Sequence, residues 1–240
     1  MTVRRRRVRT RGRGGDPPLP GAKPRSAILV ALLVAASVGA PAGAHAQEAP
    51  AAEALRLRIN LPSYRLEVFR GDQLLRSYPA AIGLPSHPTP QGAFDVYQVT
   101  WNPWWTPPPR PWARGKKRTP PGPANPMGRA KIEFDRLYYL HGSREALERP
   151  ASHGCIRLSN EDALELARLL AGEAGALSSA EVDALERNPG RTRSVSLPPG
   201  VARIEIVYRL TDEVDGELVS WEDVYGRGLS SRDRYLRARH

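Results

Sequence analysis

The chain has 240 residues and one cysteine, Cys155, so it forms no internal disulfide. It also lacks a long apolar run. The longest, Ala27–Ala40, falls short of the roughly 20 residues that cross a bilayer as a helix. Acidic residues are scarce at the start, where residues 1–46 hold Asp16 alone against nine Lys/Arg. The formal charge of +11 is therefore misleading. Of 36 basic and 25 acidic residues, nine and one fall in that segment, and the rest of the chain carries 27 and 24, a balance of +3. No polybasic surface is left to call for nucleic acid, and none is expected as a partner.

What the N-terminus does have is the order of an export leader. Arg4, Arg5, Arg6, Arg7, Arg9, Arg11, Arg13, Lys23 and Arg25 precede the apolar stretch, and Ala44-His45-Ala46 supplies a small-x-small cleavage site. We expect residues 1–46 to be a signal peptide, cut after Ala46, with the protein exported to the periplasm or cell-wall space. An uncleaved leader is the alternative and the only expected tie to a membrane. Exported proteins usually pair their cysteines. A lone one is either a buried bystander or a reactive thiol, and the neighbours of Cys155 favour the second.

Residues 47–54 are rich in Ala, Pro and Glu and read as a flexible lead-in. Leu55, Leu57, Ile59 and Leu61 then alternate with polar residues, as do Tyr64, Leu66 and Val68. A turn at Arg70–Gln73 followed by Leu74–Ile82 predicts a hairpin. Ala93–Thr100 and Ile132–Leu140 read as further strands, with a proline-bearing loop over Gly83–Gly92. Trp101–Met127 holds nine prolines, which preclude a helix or central strand. It also holds Trp101, Trp104, Trp105 and Trp112. Disordered segments are poor in aromatics, so an ordered loop or lid is expected, its indoles packed in the core or lining a cleft.

Ser159 with Asp162, and Ser178 with Glu181, have the spacing of N-terminal helix caps. The first opens an amphipathic helix through Leu170, the second a short helix ending before Asn188-Pro189-Gly190. Ile204, Ile206 and Tyr208 return to strand periodicity, Asp215-Gly216 signals a hairpin turn, and residues 227–240 read as a frayed polar tail. The expected fold is a mainly β sandwich or partly open barrel, with one or two short helices after Cys155.

The chemistry concentrates in His141-Gly142-Ser143 and Ser152-His153-Gly154-Cys155-Ile156-Arg157-Leu158. A thiol attacks as thiolate and needs a base. His153 stands two residues from Cys155, on the same face if the backbone is extended. His141 stands at the end of a predicted strand. Gly154 bares the backbone beside the thiol for substrate approach and for oxyanion amides, and Arg157 suits a carboxylate. These residues alone leave three readings open: a buried Cys with incidental histidines, a metal site of His141, His153 and Cys155, or nucleophilic catalysis.

Ser152–Leu158 resembles the SHGC[IV]R[LM] signature of the L,D-transpeptidase (YkuD-type) catalytic domain, and His141-Gly142-Ser143 its upstream HG[ST]. Ile82-Gly83 through Thr89-Pro90-Gln91-Gly92, Pro121–Gly128 (PGPANPMG) and Asp223-Val224-Tyr225-Gly226 resemble three further stretches of the family. The resemblance implies a β-sandwich over residues 55–226 that acts on peptidoglycan stem peptides without cofactor or metal. It makes Cys155 the nucleophile, His141 the base and the Gly142 carbonyl its orienter. Gly154 and Cys155 would supply oxyanion amides, Ser152 and His153 shape the pocket, and Arg157 hold substrate or brace the loop. Trp104 and Trp105 are expected to help enclose the site. The acceptor would be an amine of another stem or of a wall-anchored protein. An L,D-carboxypeptidase or amidase on the same fold, or a wall-binding module without activity, are the alternatives. In one respect the chain departs from the pattern: Arg144–Ala151, between His141 and Cys155, is short and charged.

The leader reading predicts that the exported protein begins at Gln47. Intact-mass measurement on the secreted material checks it, and a chain beginning earlier means that the leader is retained.

Overall fold

The alternation at Leu55, Leu57 and Ile59 is the inward face of β1 (Leu55–Asn60): all three are buried, while Arg56 and Arg58 between them are not. This holds in a computed structural model that describes residues 53–214 and 216–239. The leader and most of the lead-in lie outside the described residues. β1 pairs antiparallel with β2 (Arg65–Arg70), which continues into β3 (Gln73–Pro79) as the expected hairpin. On its other side β1 pairs in parallel with β12 (Ala202–Val207), and β5 (Gly92–Asp95) closes this five-stranded sheet in the order β3-β2-β1-β12-β5.

The short strands β4 (Ile82–Gly83) and β9 (Pro150–Ser152) pair in parallel by themselves. The second sheet consists of β6 (Gln98–Trp101), β7 (Ala130–Glu133), β8 (Tyr139–Ser143), β10 (Ile156–Ser159) and β11 (Arg193–Ser196), in the order β10-β8-β7-β6-β11. Leu57, Leu66 and Ile204 of the first sheet and Val99, Ile132, Leu140 and Ile156 of the second belong to one apolar core. Helix α1 (Asn160–Glu173) lies against β6, β7, β8 and β10. Its buried residues, Ala163, Leu166, Ala167, Leu170 and Ala171, recur at the spacing of one helical face. Each buried Leu of this kind contributes roughly 1.5–3 kcal/mol of transfer free energy. Covered on both sides, β8 has three consecutive buried residues, Leu140, His141 and Gly142. The fold is the mainly β one expected from the sequence.

Both helix caps form as read. Ser159 Oγ accepts from the Asp162 amide at 2.9 Å, and Ser178 with Glu181 makes a reciprocal box at the start of α2 (Ser179–Arg187). Strand β13 (Thr211–Val214) pairs with β14 (Glu217–Ser220) across the position of the Asp215-Gly216 turn. Two expectations need correction. Ile132–Leu140 is not one strand. The chain reverses between β7 and β8, helped by the Leu137 amide donating to Asp135 Oδ1 at 2.8 Å, an Asx turn that apolar periodicity does not register. Nor is 227–240 frayed, because it contains α3 (Ser231–Arg239). Asp233 caps this helix through Ser230 and accepts the Thr211 amide at 2.7 Å, while Leu236 is buried, so the segment is docked on β13.

The long loop after Trp101 starts at Asn102, which is buried with a left-handed φ of 46°. Its Nδ2 reaches the carbonyls of Leu185, Asn188 and Arg191, each at 3.0 Å, and its Oδ1 accepts from Arg129 Nε at 2.8 Å. One side chain thus joins the loop, α2 and the residues after it. Asn102→Ala leaves these carbonyls without their donor, and a loss of about 2–4 kcal/mol is expected. It should appear as a lower denaturant midpoint with an unchanged slope in equilibrium unfolding.

Candidate active site

Strands β8 and β10 run parallel, with Leu140 opposite Ile156 and His141 opposite Arg157. That register places Cys155, the residue before β10, beside the strand that carries His141. Both line a cleft of about 970 Å³ between the sheet and the Trp- and Pro-rich loop. Of the residues expected in the site, Ser152, His153, Arg157, Trp104 and Trp105 line the same cleft.

His141 lies within β8 rather than after it and is 2 % exposed. Its Nδ1 is 2.9 Å from the carbonyl oxygen of Gly142. A carbonyl only accepts, so Nδ1 carries the proton and Nε2 is left as the basic nitrogen. Gly142 is bare for steric reasons: a Cβ there would sit 2.4 Å from Asn160 Oδ1, which accepts the Arg129 amide at 2.9 Å. Burial lowers the His141 pKa to about 4, against the Gly142 hydrogen bond and with help from Arg157 and Lys131. Burial likewise pushes the Cys155 thiol up, while the Tyr139 backbone N–H, Arg157 and Lys131 pull it down. Taken one at a time, both shifts favour the uncharged forms, thiol and neutral imidazole.

The turn before Cys155 is held by Ser152, whose buried hydroxyl donates to the Cys155 carbonyl at 2.5 Å and accepts from the Gly154 amide at 3.0 Å. Gly154 has a φ of 110°, and a Cβ on it would meet the Tyr138 ring at 2.4 Å. Two readings of this turn are corrected. The backbone is not extended from His153 to Cys155, since it bends at Gly154. The Gly154 amide is also committed to Ser152, so it is not a free oxyanion donor. Arg157 does hold a carboxylate, but the chain's own. Its Nη1 donates to Glu145 Oε2 at 2.5 Å and to the Ala151 carbonyl at 3.1 Å. Glu145 belongs to the short charged loop, with its side chain 64 % exposed.

The four indoles of the loop divide. Trp101 is wholly buried in β6, whereas Trp104, Trp105 and Trp112 line the cleft, Trp104 being 42 % exposed. Trp112 stacks on His153 at 4.1 Å between centroids, and His87 meets the other ring edge-on at 4.7 Å. Trp112 is one of the four loop indoles expected in the core or lining a cleft, and nothing local in the sequence marks His87. Among the described residues no three His, Cys, Asp or Glu side chains gather as metal ligands, so the metal reading of His141, His153 and Cys155 lacks its geometry.

The remaining motif residues hold loops in place. Asn125 Nδ2 reaches the carbonyls of Pro103, Thr119 and Pro120, closing the lid on itself. Tyr225 donates its hydroxyl to the Gly83 carbonyl at 2.9 Å and accepts from the Thr89 amide, and Thr89 Oγ1 accepts from the Gly83 amide.

A sequence model described as the L,D-transpeptidase catalytic domain matches residues 55–206. The YkuD protein of Bacillus licheniformis, named for L,D-transpeptidase activity, is 26% identical over 118 residues, 48% of this chain and 59% of that protein. The ErfK/SrfK protein of Escherichia coli K12, named likewise, is 33% identical over 115 residues, 43% of this chain and 37% of that one. The chain spans less than two thirds of the length of either relative. Among solved structures, an L,D-transpeptidase from Mycobacterium smegmatis matches at 17% identity with a TM-score of 0.42, covering 63% of this chain and 58% of that one.

The neutral pair has a kinetic signature. Alkylation of Cys155 by iodoacetamide should accelerate continuously from pH 6 to pH 9, following thiol ionisation, without an acid-range plateau. A plateau between pH 5 and pH 7 would mean a preformed thiolate–imidazolium pair.

Proposed function

The chain belongs to the L,D-transpeptidase catalytic domain family, and from that premise we propose that it transfers acyl groups between peptidoglycan stem peptides through a Cys155 thioester. The observation that carries the proposal is the seating of His141 beside Cys155 in one cleft, with its Nδ1–H given to Gly142 and Nε2 left to accept a proton.

In this reading Cys155 Sγ attacks the carbonyl carbon of the third residue of a tetrapeptide stem as its proton passes to His141 Nε2. The Cys155 amide faces the oxyanion, since the Gly154 amide is engaged by Ser152. Collapse breaks the peptide bond, the terminal D-Ala leaves with the proton from His141, and the thioester remains. An acceptor amine, of another stem or of a wall-anchored protein, then attacks the thioester carbonyl. His141 takes the amine's proton and returns it to the departing thiolate. Water in place of the amine would give a carboxypeptidase. Trp104, Trp105 and Trp112 narrow the cleft on the lid side, which favours the amine by excluding water. Arg157 is the proposed anchor for a substrate carboxylate, which would replace Glu145 on its guanidinium. The expected export leader would put this activity in the periplasm or cell-wall space.

Incubating the purified protein with disaccharide-tetrapeptide should yield a cross-linked dimer by mass spectrometry, and Cys155→Ala should abolish it. Tripeptide without dimer would keep the nucleophile and move the reaction to hydrolysis. Dimer formed by Cys155→Ala would overturn the mechanism.

A further inference from the structure

The charged lining of the cleft is lopsided. Arg110, Lys116, Lys131, Arg136 and Arg157 face it against one carboxylate, Glu145. Lys131 is matched by Glu133 at 3.0 Å and Arg157 by Glu145, which leaves Arg110, Lys116 and Arg136 without an ion-pair partner among the described residues. The lid adds to the imbalance, since residues 101–127 contain five Lys/Arg and no Asp or Glu. Two of those cations are held on indoles that face the cleft, Lys116 over Trp112 at 5.1 Å and Arg118 over Trp104 at 4.2 Å. Trp112 is itself stacked on His153, two residues from the nucleophile. The Lys116 charge is thereby held against the cleft wall rather than left to sweep through solvent.

Unpaired cations in a partly enclosed cleft focus a positive potential on whatever enters. Glu145, the one carboxylate on the described lining, is already taken by Arg157, so the negative charge that matches Arg110, Lys116 and Arg136 has to arrive with the ligand. Resting on the stem-peptide reading above, we infer that the cleft selects stems whose side carboxylates are free rather than amidated, with Lys116 and Arg110 setting the preference. An amidated stem keeps the backbone contacts and hydrogen-bonding groups, but leaves these cations uncompensated. Arg157 contributes a second feature. Its Nε is buried without an acceptor, while its present partner Glu145 is mostly exposed and sits on the short loop, so an incoming carboxylate has a site to take over.

Calorimetric titration of the Cys155→Ala chain, which binds without turnover, tests this with two tetrapeptides identical except for amidation. The free-acid stem should bind more tightly, and its advantage should shrink as ionic strength rises through the range where the Debye length falls below about 10 Å. Lys116→Gln and Arg110→Gln should each weaken the free-acid stem by about twofold to fivefold at low salt and leave the amidated stem unchanged. Equal affinity for the two stems at low salt, or equal losses for both in the variants, would overturn the inference while leaving stem binding intact. Failure of both stems to bind would overturn the stem-peptide reading with it.

Discussion

The parallel ladder between β8 and β10 sets Leu140 against Ile156 and His141 against Arg157, and the chemistry of the cleft depends on that register. A slip of one residue would turn His141 to the opposite face of the sheet and bury a different side chain in its place. The register is fixed from both sides. Leu140, Ile156 and Leu158 lock into the core, and α1, which starts directly from β10 at the Ser159 cap, presses on the back of the same strands. Asn160, the first residue of that helix, occupies the space a side chain on Gly142 would need. His141, the Gly142 carbonyl that accepts from its Nδ1 and the helix behind them form one packed unit.

Burial at this ladder makes an uncharged pair cheaper than an ion pair. Desolvation disfavours an imidazolium and a thiolate there when each is formed alone, so in the proposed mechanism proton transfer accompanies attack on the stem. The cations around the cleft act at longer range. They tilt the thiol toward ionisation and the imidazole away from protonation, in each case against or alongside a larger burial effect. The same walls therefore shift both titrations and present a positive face to the cleft.

Much of this was legible in the residues. Period-two alternation marked β1 and β2, and serine caps marked both helices after Cys155, because those signals are local. The Cys–His pair was legible through its motifs. What escaped depends on contacts distant in sequence. The break between β7 and β8 is set by an Asx turn inside an apolar stretch. The docking of α3 depends on Thr211 meeting Asp233, 22 positions away. The commitment of the Gly154 amide to Ser152 follows from a bend that a string of letters does not display. Asn102 and Asn125 read as loop residues of no special weight, yet each gathers three backbone carbonyls, and the lid owes its shape to them.

With one sulfhydryl in 240 residues, the molecule folds without any oxidative step and cannot be trapped by a wrong pairing. The same economy confines thiol oxidation to a single atom. Each copy is either intact or spent once Sγ is oxidised past the reversible stages, with no second cysteine in the chain to resolve a sulfenic acid. Cys155 is partly exposed, and desolvation raises its thiol pKa, which slows its reaction with oxidants. A population of these molecules therefore loses its thiol one copy at a time.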